Sequence, residues 1–112
     1  MPYSNFKVGA AFLTEDSKII TGCNVENAAY PQSQCAVATA IGNMISNGNK
    51  KILEVVVIGS GELLCSPCGG CRQRLREFAA LNTKIHMCNE NGHMKTSTLE
   101  ELLPDSFGPE NL

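Results

Sequence analysis

The chain has 112 residues, of which 43% are hydrophobic and 18% charged, and its formal net charge is -2. Those values fit a single folded domain, and the slight negative charge offers no footprint for a nucleic-acid backbone. No apolar run approaches the roughly eighteen residues of a membrane span. Met1 to Phe6 has neither the basic nor the apolar part of a secretory leader, so the expected compartment is the cytosol.

In chain order, Val8 to Leu13 reads as a buried strand, Thr14 to Ser17 as a polar turn and Lys18 to Cys23 as the return strand of a hairpin. A polar loop, Asn24 to Gln34, holds Glu26, Tyr30 and Pro31. The first helix is predicted to begin near Cys35, with Val37, Ala40, Ile41, Met44 and Ile45 forming an apolar stripe. Asn47-Gly48 suits its end. Ile52 to Ile58 reads as a central strand covered on both faces. A second helix follows the cysteine turn at residues 68–71, with Cys71, Leu75, Phe78 and Ala79 on one side. Lys84 to Cys88 and His93 to Thr96 read as strands joined at Asn91-Gly92. Thr98 with Glu101 forms a capping box for a last helical turn ended by Pro104. This order implies a mixed five-stranded sheet sandwiched by helices, a three-layer α/β/α arrangement with parallel pairing in the middle.

The six cysteines could form a disulfide framework, but a chain with two amphipathic helices does not need staples, and clustered cytosolic thiols more often bind metal or react. Cys35 and the Pro67-Cys68-Gly69-Gly70-Cys71 turn fall at predicted helix starts, where peptide dipoles favour thiolate. Three such thiols can bind zinc and leave a fourth position for water, as in a catalytic site. A thioredoxin-like redox pair at Cys68 and Cys71 is the main alternative, and it leaves Cys35 without a role. Three thiolates carry an excess of negative charge, which the two helix starts and Arg72 are placed to offset. Cys23, Cys65 and Cys88 read as buried, inert thiols. His86 and His93 read as core or surface histidines, and the methionines as packing residues.

Four stretches, residues 2–11, 22–30, 66–73 and 102–107, resemble the small homotetrameric cytidine deaminases, in register and in the same order. The cysteine pattern and the Ala-Ile-Gly run near Ile41 are shared with blasticidin deaminases, whereas Asn24-Val25-Glu26-Asn27 argues for an ordinary nucleoside. The resemblance implies a cytidine deaminase-like fold, one zinc ion held by Cys35, Cys68 and Cys71, and hydrolytic deamination of cytidine or deoxycytidine at C4 of the base. It implies that Asn24 and Glu26 hold the ribose hydroxyls, that Phe6 lines the base pocket beside Tyr30, and that backbone around Cys35 and Ala36 bonds the pyrimidine. Phe107 would stack on the base from a neighbouring subunit of a homotetramer, or homodimer. The likeness also implies a helix before residue 1 that this sequence lacks, whose absence would uncover apolar sheet surface.

One residue departs from the pattern. Where the family has Cys-Ala-Glu, this chain has Cys35-Ala36-Val37, and the missing glutamate is the proton carrier of the reaction. A positioned acid/base contributes about a hundred- to ten-thousand-fold in rate. Strongly reduced turnover is therefore expected, in either a natural inactive relative or an inactivated form. Ala38 stands where many relatives have arginine, which bears on the electronic tuning of the metal.

Overall fold

Two close approaches set how the helices meet the sheet. A methyl group at Gly22 would lie 2.4 Å from the backbone nitrogen of Ala40 and 2.7 Å from the carbonyl oxygen of Ala36. Only glycine lets the first helix lie this flat on its strand. At the other end of the molecule, the guanidinium of Arg76 fills the space a Gly108 side chain would take.

The computed structural model describes residues 1–112. Its strands are β1 (Val8–Thr14), β2 (Ile19–Cys23), β3 (Ile52–Gly59), β4 (Ala79–Cys88) and β5 (Met94–Thr98), and its α-helices are α1 (Ala36–Ser46), α2 (Gly69–Phe78) and α3 (Leu99–Leu102). They form one five-stranded mixed sheet in the order β2-β1-β3-β4-β5. Only β3 and β4 pair in parallel, and β1 runs antiparallel to both β2 and β3. The parallel pairing expected from the helix crossovers is thus confined to one pair, because β1 inserts between β2 and β3.

The core lies between the sheet and the helices. Ala10, Phe12, Ile20, Val55, Val57, Ile85 and Met87 point to one face and join Ala40, Met44, Leu75 and Leu99 in a single buried cluster. Helix α1 packs on β1 and β2, α2 and α3 pack on β4, and α2 touches both other helices. All three helices therefore share one side of the sheet. Of the stripe expected on α1, Val37, Ala40 and Met44 are buried, Ile41 is partly buried and Ile45 is 44% exposed.

Strand β3 is central, as expected, but its residues alternate between buried and exposed. Its second face carries Val56 and Ile58, which continue a row through Ala11 and Gly9 to Thr21 and Cys23 on one side. On the other side the same rows run through His86 and Cys88 to Thr96 and Met94. No element of this chain covers that face. In its middle, His86 bridges Glu54 at 2.7 Å and Thr96 at 2.7 Å. The histidine's ring is thus tied to polar partners on the neighbouring strands. Cys23 is exposed and Cys88 only half-buried, against the expectation that both are buried.

Strand β4 begins at Ala79 rather than Lys84, with a register shift opposite Ile52 to Glu54. The residues between, Ala80-Leu81-Asn82-Thr83, mix apolar and polar types without alternation, which hides the strand from a pattern search. The capping box of Thr98 and Glu101 forms as expected. Chain reversals fall at Gly48, Gly61 and Gly92, all with positive φ.

Candidate active site

Cys35 is the N-cap of α1, its sulfur accepting from the Ala38 N–H at 3.4 Å. Cys68 is the N-cap of α2 and Cys71 lies in that helix's first turn. The two helix starts meet, so residues 36 positions apart touch: Cys35 Sγ is 2.9 Å from Cys71 Sγ, and Cys68 Sγ is 3.4 Å from Cys71 Sγ. No grouping of three His, Cys, Asp or Glu side chains with the spacing of a preformed metal cage exists in the chain. The three sulfurs are instead crowded against one another. Zinc–sulfur bonds of about 2.3 Å at tetrahedral angles set sulfurs about 3.8 Å apart. Taking up the ion therefore needs Cys71 to move away from its two neighbours by less than about 1 Å.

The charges in this cluster favour a cation. Burial, and then hydrogen bonding with Cys35 and Cys68, pushes the Cys71 thiol far above its ordinary value. Cys68 is held below the ordinary value, first by the backbone N–H of Cys71, with the Gly70 N–H and the Arg74 guanidinium assisting against partial burial. A half-buried group of sulfurs with one already inclined to ionise is stabilised by a dication among them. The residues present thus fit zinc.

Arg72 does something other than neutralise the thiols. Its guanidinium donates to the Pro67 carbonyl, the Leu102 carbonyl and Ser66 Oγ, each at 2.7 Å. It clamps the cysteine turn to α3, and the cation that acts on Cys68 is Arg74. Basic residues one and three positions after Cys71 look alike in sequence, and only the helical turn separates their roles.

In front of the thiols is a cavity of about 180 Å³ lined by Phe6, Val8, Val37, Val57, Cys65 and the three cysteines, among others. A second chamber of about 320 Å³ holds Asn24, Glu26 and Gln34. Val8, Cys35 and Ala36 line both, so the two chambers adjoin as an apolar and a polar part of the site. No carboxylate lines the thiol end. Val37 is 2% exposed, its side chain both in the helix stripe and at the cavity wall.

The polar end is braced from within. Asn24 Oδ1 accepts the Val8 N–H at 3.0 Å and its Nδ2 donates to the Phe6 carbonyl at 2.8 Å. Glu26 Oε1 accepts the N–H groups of Tyr3 at 3.0 Å and Ser4 at 3.2 Å. Hydrogen bonds from the Ser4 hydroxyl and the Tyr3 backbone hold the Glu26 carboxyl below its ordinary value. Both side chains therefore fix the segment that carries Phe6. Tyr30 stands outside, 73% exposed, its ring 6.2 Å edge-on from Tyr3. Phe107 is 58% exposed and lines neither chamber of its own chain, and its carbonyl accepts from Gln73. The structure thus gathers Phe6, Asn24, Glu26, Cys35, Ala36, Val37, Cys68 and Cys71 around one cleft and leaves Phe107 apart. It adds Cys65, a fourth thiol at the cavity, whose place three residues before Cys68 was the only signal in the sequence.

Comparison with known proteins agrees with this geometry. The family described as the cytidine and deoxycytidylate deaminase zinc-binding region matches residues 1–87. A cytidine deaminase of Sporosarcina psychrophila is 40% identical over the whole chain, which spans 82% of that protein. The crystal structure of cytidine deaminase from Burkholderia pseudomallei superposes with a TM-score of 0.89 at 38% identity, over 96% of this chain and 86% of that one. That of the Mycobacterium tuberculosis cytidine deaminase gives 0.83 at 37% identity, over 96% and 84%. The fold is that of the cytidine deaminases. The chain belongs to the cytidine deaminase family, and zinc is its cofactor.

Proposed function

We propose that this chain binds a pyrimidine nucleoside in front of a zinc ion held by Cys35, Cys68 and Cys71, and that its deamination of cytidine or deoxycytidine is crippled at Val37. The observation that carries this reading is the lining of the thiol chamber: an apolar valine and no carboxylate. When bound, zinc supplies a Lewis acid that makes a water reactive near neutral pH. Proton transfer to N3 of the base and to the departing amine needs a group that gains and loses protons, and the Val37 side chain has none.

The other residues retain binding roles. Asn24 and Glu26, already rigid, use their remaining hydrogen-bonding capacity on the ribose hydroxyls, a pairing that discriminates against ligands lacking them. Phe6 and Ala36 flank the base, and Tyr30 with Tyr3 shapes the outer rim. Phe107, remote from the cleft of its own chain, reaches the cleft of a neighbouring copy in a homotetramer. A reducing cytosol keeps the three sulfurs available to metal.

A second reading is favoured by the same chamber: a nucleoside-binding module with no turnover at all. Elemental analysis, cytidine titration by calorimetry and an ammonia assay on the zinc-loaded protein test both. One zinc per chain and cytidine binding, with ammonia release at least about a hundredfold below that of an intact deaminase, are expected. Metal-free protein with a reversible Cys68–Cys71 disulfide would replace this account with a redox one.

A further inference from the structure

Gly59 ends β3 beside the thiol chamber, and two side chains converge on it. A methyl group there would lie 2.9 Å from Cys65 Cβ, 3.0 Å from Cys65 Sγ and 3.1 Å from Phe6 Cζ. Phe6 and Cys65 both line the chamber. Gly59 has no positive φ, so its backbone does not require glycine. What requires it is the space taken by the two neighbours. Cys65 is fixed from its backbone, its N–H donating to the Cys88 carbonyl. Its thiol stays neutral because burial raises it above the ordinary value.

We propose that Phe6 and Cys65, packed together against Gly59, form a single wall that sets the breadth of the chamber and meets the C–H edge of an unsubstituted pyrimidine. This rests on the reading of the cleft as a nucleoside site. The wall presents a phenyl ring and a neutral thiol, whose sulfur is only a weak hydrogen-bond acceptor and a poor partner for an amine. A pyrimidine has a polar edge (amine, N3 and the 2-oxygen) and an edge of two C–H groups at C5 and C6. The C–H edge loses nothing against such a wall, whereas the polar edge loses its hydrogen bonds to water. A methyl at C5 then meets Cys65, and the chamber selects by size on that edge. Discrimination of one methyl in an apolar pocket amounts to about ten- to two-hundredfold.

The test uses the zinc-loaded full chain, cytidine and 5-methylcytidine. In the parent, cytidine is expected to bind about tenfold or more tightly than 5-methylcytidine, and Cys65→Ala is expected to erase most of that ratio. Gly59→Ala forces Cys65 and Phe6 out of their present positions, so it is expected to weaken cytidine about tenfold or more while zinc content is kept. An unchanged ratio in Cys65→Ala overturns the wall while leaving the nucleoside reading in place. Absence of any cytidine binding to zinc-loaded parent removes both.

Discussion

At the scale of single residues, Cys35 and Val37, two positions apart at the start of one helix, divide between the thiol cluster and packing. Cys35 caps the helix and faces the other thiols. Val37, two residues on, reaches the same cavity from inside the helical turn. The cluster depends on all three sulfurs, so Cys71→Ala is expected to leave less than one tenth of the zinc after dialysis. Retention of one ion per chain would mean that the ligands lie elsewhere. A separate polar residue controls acid stability. Asp16 is held at about 2, from an ordinary 3.8, chiefly by the hydrogen bond from the Thr14 hydroxyl at 2.6 Å. Because the folded value is the lower one, this contribution is present above the unfolded value and disappears as pH falls from about 4 to about 2. The parent should therefore lose more of its melting temperature across that window than Asp16→Asn does. Equal losses would show that the bond has no bearing on acid unfolding.

Among the elements, the contact between β2 and α1 matters most, because it aims the helix start that carries Cys35. Gly22→Ala would place a methyl 2.4 Å from the Ala40 nitrogen. Backbone cannot yield as a flexible side chain does, so the helix must shift, at a cost of about 1–3 kcal/mol. Urea unfolding should show that loss together with weaker zinc binding, and an unchanged midpoint would place α1 differently. The hairpin, the α1 boundary, the cysteine turn and the Thr98–Glu101 cap were legible in the sequence, because each rests on a local period or a local hydrogen bond. What was not legible depends on contacts distant in sequence. An apolar run at residues 52–58, interrupted only by Glu54, reads as covered on both faces, yet Val56 and Ile58 are exposed, since only neighbouring elements decide what covers a strand. The early start of β4 lies in residues without strand periodicity, placed by their partner β3 rather than by their own pattern. Arg72 and Arg74 carry the same charge, and only geometry makes one a clamp and the other a neighbour of Cys68.

For the whole molecule, the thiol cluster joins two helix starts that belong to different parts of the chain, and the proposed zinc would tie them together. Zinc at about a hundred times its dissociation constant adds about 2.7 kcal/mol to folding. For a chain of this size, chelation should lower the melting temperature by about 10 °C or more. A melting curve indifferent to chelator would separate the thiol cluster from the stability of the fold. The chain is a member of the cytidine deaminase family, and we propose that binding and chemistry part at one position, Val37. Ammonia release from cytidine by zinc-loaded Val37→Glu, measured beside the parent chain, tests that claim most directly. The account predicts a gain of about a hundredfold or more for the variant, with zinc content unchanged. Equal rates in the two proteins would contradict it.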